Sequence, residues 1–191
     1  MFLGMSEIAF AALVVLLGFA RLAELRRSAR NEQLLRRQGA YEVGAAHYPA
    51  MVAMHSAFLL ACLAEVLLLP TFFRWTLAAP MLSLWAMATA LRYWAIRSLG
   101  GRWTTRIWVL PSAGLKARGP YRWFRHPNYL AVIVEFACFP LIHGAWRSAL
   151  FFSIANALVL RTRIRQEEAA LSLQAPASWN AQARFWPQRK T

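Results

Sequence analysis

Apolar stretches of bilayer-spanning length, separated by segments that carry nearly all the charge, leave this 191-residue chain few ways to fold. A helix needs about 20 consecutive apolar residues to cross a bilayer. Residues 8–20 (IAFAALVVLLGFA) form the first such stretch and extend back to Phe2. Four more follow, so the expected spans are 2–22, 48–69, 75–96, 129–142 and 145–161. The fourth is short, which implies either a tilt or burial among the others. Between them lie a long polar loop, 97–128, and a tail, 162–191. The basic residues test this division independently. Segments 21–47, 92–127 and 161–191 hold 20 of the 22 Lys and Arg, and the two intervening connections hold one each. Such alternation is what the positive-inside rule demands, with the N-terminus outside and the C-terminus in the cytoplasm. The first stretch does not read as a signal peptide, because no basic segment precedes it and no small-residue cleavage site follows.

Composition agrees with an all-α integral membrane protein of one domain, 1–191. Hydrophobic residues make up 59% of the chain, above the ~45–50% of an ordinary soluble domain. The formal net charge is nevertheless +14. Both facts fit if apolar stretches lie in lipid and basic residues in the connections. Nucleic-acid binding is the competing explanation of the charge, but the basic residues flank spans and form no separate domain. The chain has eight Glu and no Asp, which excludes Asp-based triads and Asp-held metals. Cys62 and Cys138 sit in apolar runs and read as buried small hydrophobes; two cysteines make no zinc site.

The polar segments are where chemistry could sit. LRRSARNEQLLRRQGA, between Glu24 and Tyr41, reads as a basic helix on the cytoplasmic surface or a solvated linker, with Gly39 as a stop. The loop 97–128 carries four Gly and three Pro, so it is a structured loop rather than a helix. Long ordered loops on rigid scaffolds usually carry function. After the fifth span, Arg163 and Glu167 are four apart and share a helix face; an ordinary surface salt bridge is the plain expectation. No GxGxxG, GxxxxGK[ST], HExxH or GxSxG occurs, so Rossmann, P-loop, zincin and hydrolase readings lack support. His55 and His143 read as structural. His126 differs, standing in RHPNY at the mouth of the fourth span.

The stretch GPYRWFRHPNYLAVIVEF (Gly119–Phe136), followed one span later by RIRQEE (Arg163–Glu168), resembles the isoprenylcysteine carboxyl methyltransferase family of integral-membrane enzymes. The resemblance covers roughly 85–170. It implies an S-adenosylmethionine-dependent enzyme whose cytoplasmic cofactor pocket lies between the loop before the fourth span and the end of the last helix. A lipophilic acceptor would enter from the bilayer. Residue by residue, it implies that Tyr121, His126, Pro127, Asn128 and Tyr129 contact the cofactor. Ala113, Gly114, Leu115 and Lys116 would supply backbone contacts, Trp108 a further one, and Glu167 would meet the cofactor's cationic end. Arg163 and Glu167 are the catalytic candidates, with Arg163 facing the acceptor. RHPxY alone also occurs in phospholipid N-methyltransferases and membrane reductases, which are the alternative. The tail ending ARFWPQRKT departs from the family's usual C-terminus.

These roles are chemically reasonable. Aromatic faces such as Tyr121 and Tyr129 suit a sulfonium cation or an adenine, at about 0.5–2 kcal/mol per contact. His126 and Asn128 offer polar handles for ribose or carboxylate. An acceptor carboxylate is already nucleophilic at neutral pH and needs placement and desolvation, for which Arg163 offers a planar permanent cation. An acceptor hydroxyl, as on the phenolic lipids that some bacterial relatives methylate, needs a base as well. Glu168, Glu135 and His126 are the candidates.

Overall fold

The computed structural model describes residues 4–172 and 184–185. The start of the expected first span and most of the expected tail 162–191 lie outside the described residues. Among those described, five long helices follow in order: α1 Met5–Arg37, α2 Tyr48–Leu68, α3 Trp75–Leu99, α4 Pro127–Leu141 and α5 Trp146–Ser172. Each contains most of one expected apolar stretch, and α1 and α5 run well past the expected ends at 22 and 161. α1 and the helical segment Ala45–Leu68 are both long and apolar enough to cross a membrane. α3 and α5 are long enough but too polar or too charged to meet that measure, and α4 has only 15 residues.

The short fourth helix is buried among the others, as one of the two expectations had it. Nine of its residues are buried, including Phe136 and Phe139 at 0% exposure. Phe58 of α2 stacks on Phe136 with ring centroids 4.1 Å apart. Phe10, Val14 and Leu17 of α1 and Phe152 of α5 complete this core. The helices around α4 turn large apolar side chains outward, among them Leu16 and Phe19 of α1 and Phe151 and Leu158 of α5. A water-facing surface would not hold so continuous an apolar cover; hydrocarbon would.

At one end the short connections meet. Gly144, at φ 72°, lets the α4–α5 turn approach the Phe72 backbone so closely that a Cβ would lie 2.9 Å from its carbonyl oxygen. There Glu65 of α2 caps α5, accepting from the backbone N–H groups of Arg147 and Ser148 and from the Ser148 hydroxyl. A carboxylate at a helix N-terminus satisfies orphan donors and complements the helix dipole.

At the other end the long connections build the polar half of the molecule. β1 (Tyr41–Val43) pairs antiparallel with β2 (Ile107–Val109), Glu42 opposite Trp108. Neither strand was foreseen, because three residues are too few to show a period. α1 also departs from expectation. It does not stop near residue 22 but runs unbroken to Arg37, so the basic segment is neither a linker nor a separate surface helix. Its buried residues Phe10, Val14, Leu17, Glu24, Ser28, Asn31 and Leu35 form one stripe at steps of three, four or seven residues. The apolar half of that stripe packs in the core. In the polar half, Ser28 and Asn31 dock on the 100–105 loop and Glu24 meets Arg92.

Candidate active site

The loop 97–128 divides into pieces that each hold a wall. α3 continues to Leu99, a 3₁₀ turn spans Gly100–Arg102, and a second covers Gly119–Arg122. Gly119 has φ 57°, and a Cβ there would fall 2.0 Å from the Ser98 hydroxyl. Glycine is therefore what lets the GPY turn lie on α3 and present Tyr121 inward. Asn31 of α1 donates to the carbonyls of Trp103 (2.6 Å) and Gly100 (3.2 Å). The Ser28 hydroxyl accepts the Thr105 backbone N–H at 2.8 Å.

Two cavities meet here. The first, about 90 Å³, has a polar lining that includes Trp108, Tyr121, His126, Asn128, Tyr129 and Glu167. The second, about 420 Å³, is lined mainly by apolar side chains of α1, α2 and α4. Its wall includes Leu22 and Leu25 of α1 and Leu60 of α2, which are exposed. Trp103, Thr104, Asn128, Tyr129 and Arg163 belong to both walls.

Arg163 sits at that junction with 5% exposure. Its Nε donates to the Tyr129 hydroxyl at 2.7 Å and its Nη2 to the Thr105 carbonyl at 2.6 Å. Among the described residues its Nη1 finds only the Met51 thioether sulfur, at 3.3 Å, a weak acceptor. Burial alone would depress its pKa, but Tyr129 and Glu167 outweigh that and hold the guanidinium charged. The expected surface salt bridge to Glu167 does not form. Tyr129 stands between the two, its hydroxyl donating to Glu167 and accepting from Arg163. Its ring also stacks on His126, with centroids 5.2 Å apart.

The remaining candidates are placed as follows. Burial first, then the nearby Glu167 charge, pushes the Tyr121 phenol up, so it stays neutral. Pro127 opens α4 and lies outside both linings. Ala113, Gly114, Leu115 and Lys116 line neither cavity; the Gly114 carbonyl takes Arg102 and Lys116 donates to the Leu99 carbonyl. Of the three candidate bases, His126 lines the polar cavity, Glu135 the apolar one, and Glu168 neither. Glu168 instead accepts from His126, Arg125 and Arg184. Burial would raise its pKa, but the Arg184 and His126 hydrogen bonds outweigh this and hold it below the carboxylate value of 4.5.

Sequence reasoning missed Trp103, Thr104, Thr105 and Met51, and the bracing role of Ser28 and Asn31. A signal existed only for the last two: with Glu24 and Leu35 they continue the spacing of the α1 core stripe.

A bound nucleoside cofactor fits the donor set. Trp108 Nε1 and Asn128 Oδ1, both buried in the polar cavity's wall, have no hydrogen-bond partner among the described residues. Buried polar atoms are normally paired, so an unpaired donor and acceptor on one cavity mark a place for a polar ligand. Among the described residues no group of His, Cys, Asp or Glu could hold a metal ion.

Residues 81–173 match the Isoprenylcysteine carboxyl methyltransferase (ICMT) family. The uncharacterized protein YpbQ of Bacillus subtilis is 42% identical over 165 residues, 85% of this chain and 96% of that one. An uncharacterized protein of Haemophilus influenzae is 30% identical over 173 residues, 90% of this chain and 98% of its own.

Proposed function

The chain belongs to the isoprenylcysteine carboxyl methyltransferase family, and from that premise we propose that it is an integral-membrane O-methyltransferase using S-adenosylmethionine. The observation that carries this reading is the pair of cavities with a common wall. A polar cavity suits the cofactor, an apolar one with exposed leucines of α1 and α2 in its wall suits a lipophilic acceptor, and Arg163 and Tyr129 belong to both walls. The bound cofactor supplies an electrophilic methyl group on a sulfonium.

The protein's own residues supply position. Glu167 faces the cofactor's cationic part, while Trp108 and Asn128 offer it a donor and an acceptor. Arg163 is fixed through Nε and Nη2, which leaves Nη1 to take an acceptor oxygen in place of the Met51 sulfur. A carboxylate or hydroxyl oxygen held there lies between the two cavities, away from water, where orientation and desolvation favour in-line transfer. A carboxylate needs no base. For a hydroxyl, His126, on the wall of the cofactor cavity, is the candidate base; Glu135 lies six residues along α4 from Tyr129, away from the junction. A phospholipid amine acceptor or a reductase is the second reading, but the cationic Arg163 at the junction disfavours an amine.

We further propose five membrane spans with the N-terminus outside and the site on the cytoplasmic side, where 20 of the 22 basic residues cluster. The partners are then the bilayer and a lipophilic acceptor, with no nucleic acid. Calorimetric titration tests the cofactor. S-adenosylhomocysteine should bind, NADPH should not, and His126→Ala and Glu167→Ala should each weaken binding by about 1–3 kcal/mol. Parental affinity in both variants would remove the assigned pocket; NADPH binding alone would favour the reductase.

A further inference from the structure

The apolar cavity has a second polar level that methyl transfer leaves unused. On its wall Arg21 and Glu24 of α1, Arg92 of α3 and Glu135 of α4 form one ion-pair network. Glu24 is well supplied: Arg92 donates to it from Nε (3.0 Å) and Nη2 (2.6 Å), and Arg21 from Nη1 (2.6 Å). Glu135 is not. Its Oε2 accepts from Arg21 Nη2 at 2.6 Å, and among the described residues nothing donates to Oε1. The residue is 4% exposed.

A carboxylate can accept about four hydrogen bonds, and Oε1, without a donor among the described residues yet not sealed off, has acceptor capacity to spare. Ionisable groups inside a membrane bundle are rare unless they serve a pathway or a ligand. Two arginines and two glutamates cancel, so this level lacks a hydrogen-bond donor rather than a charge. Six residues separate Glu135 from Tyr129 along α4, about 9 Å of helix axis, and both line the same cavity. A ligand that fills this cavity as far as Arg163 shares it with Glu135.

We propose that Glu135, held by Arg21, is a polar subsite for the acceptor, accepting a hydrogen bond from a hydroxyl that the acceptor carries besides its methylated oxygen. The acceptor class is then a hydroxylated amphiphile rather than one with a plain hydrocarbon tail. The inference rests on the proposed function only in placing the acceptor in this cavity. Arg21 and Glu135 are specificity-determining residues here; neither touches the transferred methyl.

The test is binding to the full chain in lipid nanodiscs, with hexadecanoic acid and its positional isomers bearing one hydroxyl as probes. Wild type should bind at least one hydroxy acid about tenfold or more tighter than the plain acid. Glu135→Leu should erase that preference while leaving plain-acid and S-adenosylhomocysteine affinity unchanged. Glu135→Gln, with a neutral and weaker acceptor, should reduce it severalfold. A network that only clamps α1, α3 and α4 together predicts no preference in wild type, or one that survives both variants, and either result overturns the proposal. Should the leucine variant not fold, wild type and Glu135→Gln decide: equal preference in the two is also overturning. S-adenosylhomocysteine binding in the same sample reads the methyltransferase assignment separately, so loss of the cofactor with the preference intact would leave the subsite standing.

Discussion

Arg163 separates a structural residue from a functional one by the number of its donors that are already committed. Two of its nitrogens are fixed on oxygens, and the third rests on a thioether. Lysine keeps the charge but loses the fork that makes all three contacts possible at once. Arg163→Lys should therefore lower turnover by about 10²-fold, since small misplacements of reacting groups cost that much. S-adenosylhomocysteine affinity should stay near parental; a labelled methyl donor with host lipid extract measures the first, calorimetry the second. Glu168 makes a prediction in pH. Its folded pKa is lowered, so the stability it contributes is fully present above 4.5 and is lost as pH falls through the lower folded value. Thermal melting between pH 6 and 3 should show wild type losing more stability than Glu168→Gln, because glutamine has no such charge to lose.

Among the elements, α1 carries more of the site than any residue on it suggests. Asn31 and Ser28 brace the loop backbone at Trp103 and Thr105, and the Thr105 carbonyl in turn anchors Arg163. Helix α1 thus sets the guanidinium without touching it. Asn31→Ala leaves the Trp103 carbonyl without its donor, while the Gly100 carbonyl keeps the Trp103 N–H, and should cost about 1–3 kcal/mol of stability. It should also lower turnover more than cofactor affinity, because the loop it frees positions Arg163 and not Glu167. Melting temperature, calorimetry and turnover on one preparation check all three parts. Equal losses in affinity and turnover would make the brace a general support of the polar half.

For the whole molecule, the arrangement is a helix bundle whose one end is tight and whose other end is built into cavities. Short connections, the Gly144 turn and the Glu65 cap close the first end. The 33-residue α1, the β1–β2 pair and the long loop build the second. Reporter fusions at residues 3 and 190 should lie on opposite faces of the membrane, the second cytoplasmic. Both on one face would refute the five-span reading.

Much of this was legible in the chain alone, because a bilayer imposes length and charge rules that act on contiguous residues. Five apolar stretches became five helices, and the RHPNY and RIRQEE segments supplied His126, Asn128, Tyr129, Arg163 and Glu167 to one cavity. The failures share a cause. That Arg163 bonds Tyr129 rather than Glu167 depends on how α5 is rotated against α4, and four-residue spacing cannot report that. That α1 continues past residue 22 as a docked helix depends on the loop it packs against, 69 to 77 residues further along. The polar network of Arg21, Glu24, Arg92 and Glu135 draws on three helices and has no local pattern. Solvent and lipid select apolar and charged segments through rules written along the chain; which face of a helix meets which partner is a property of packing, and only the tertiary structure decides it.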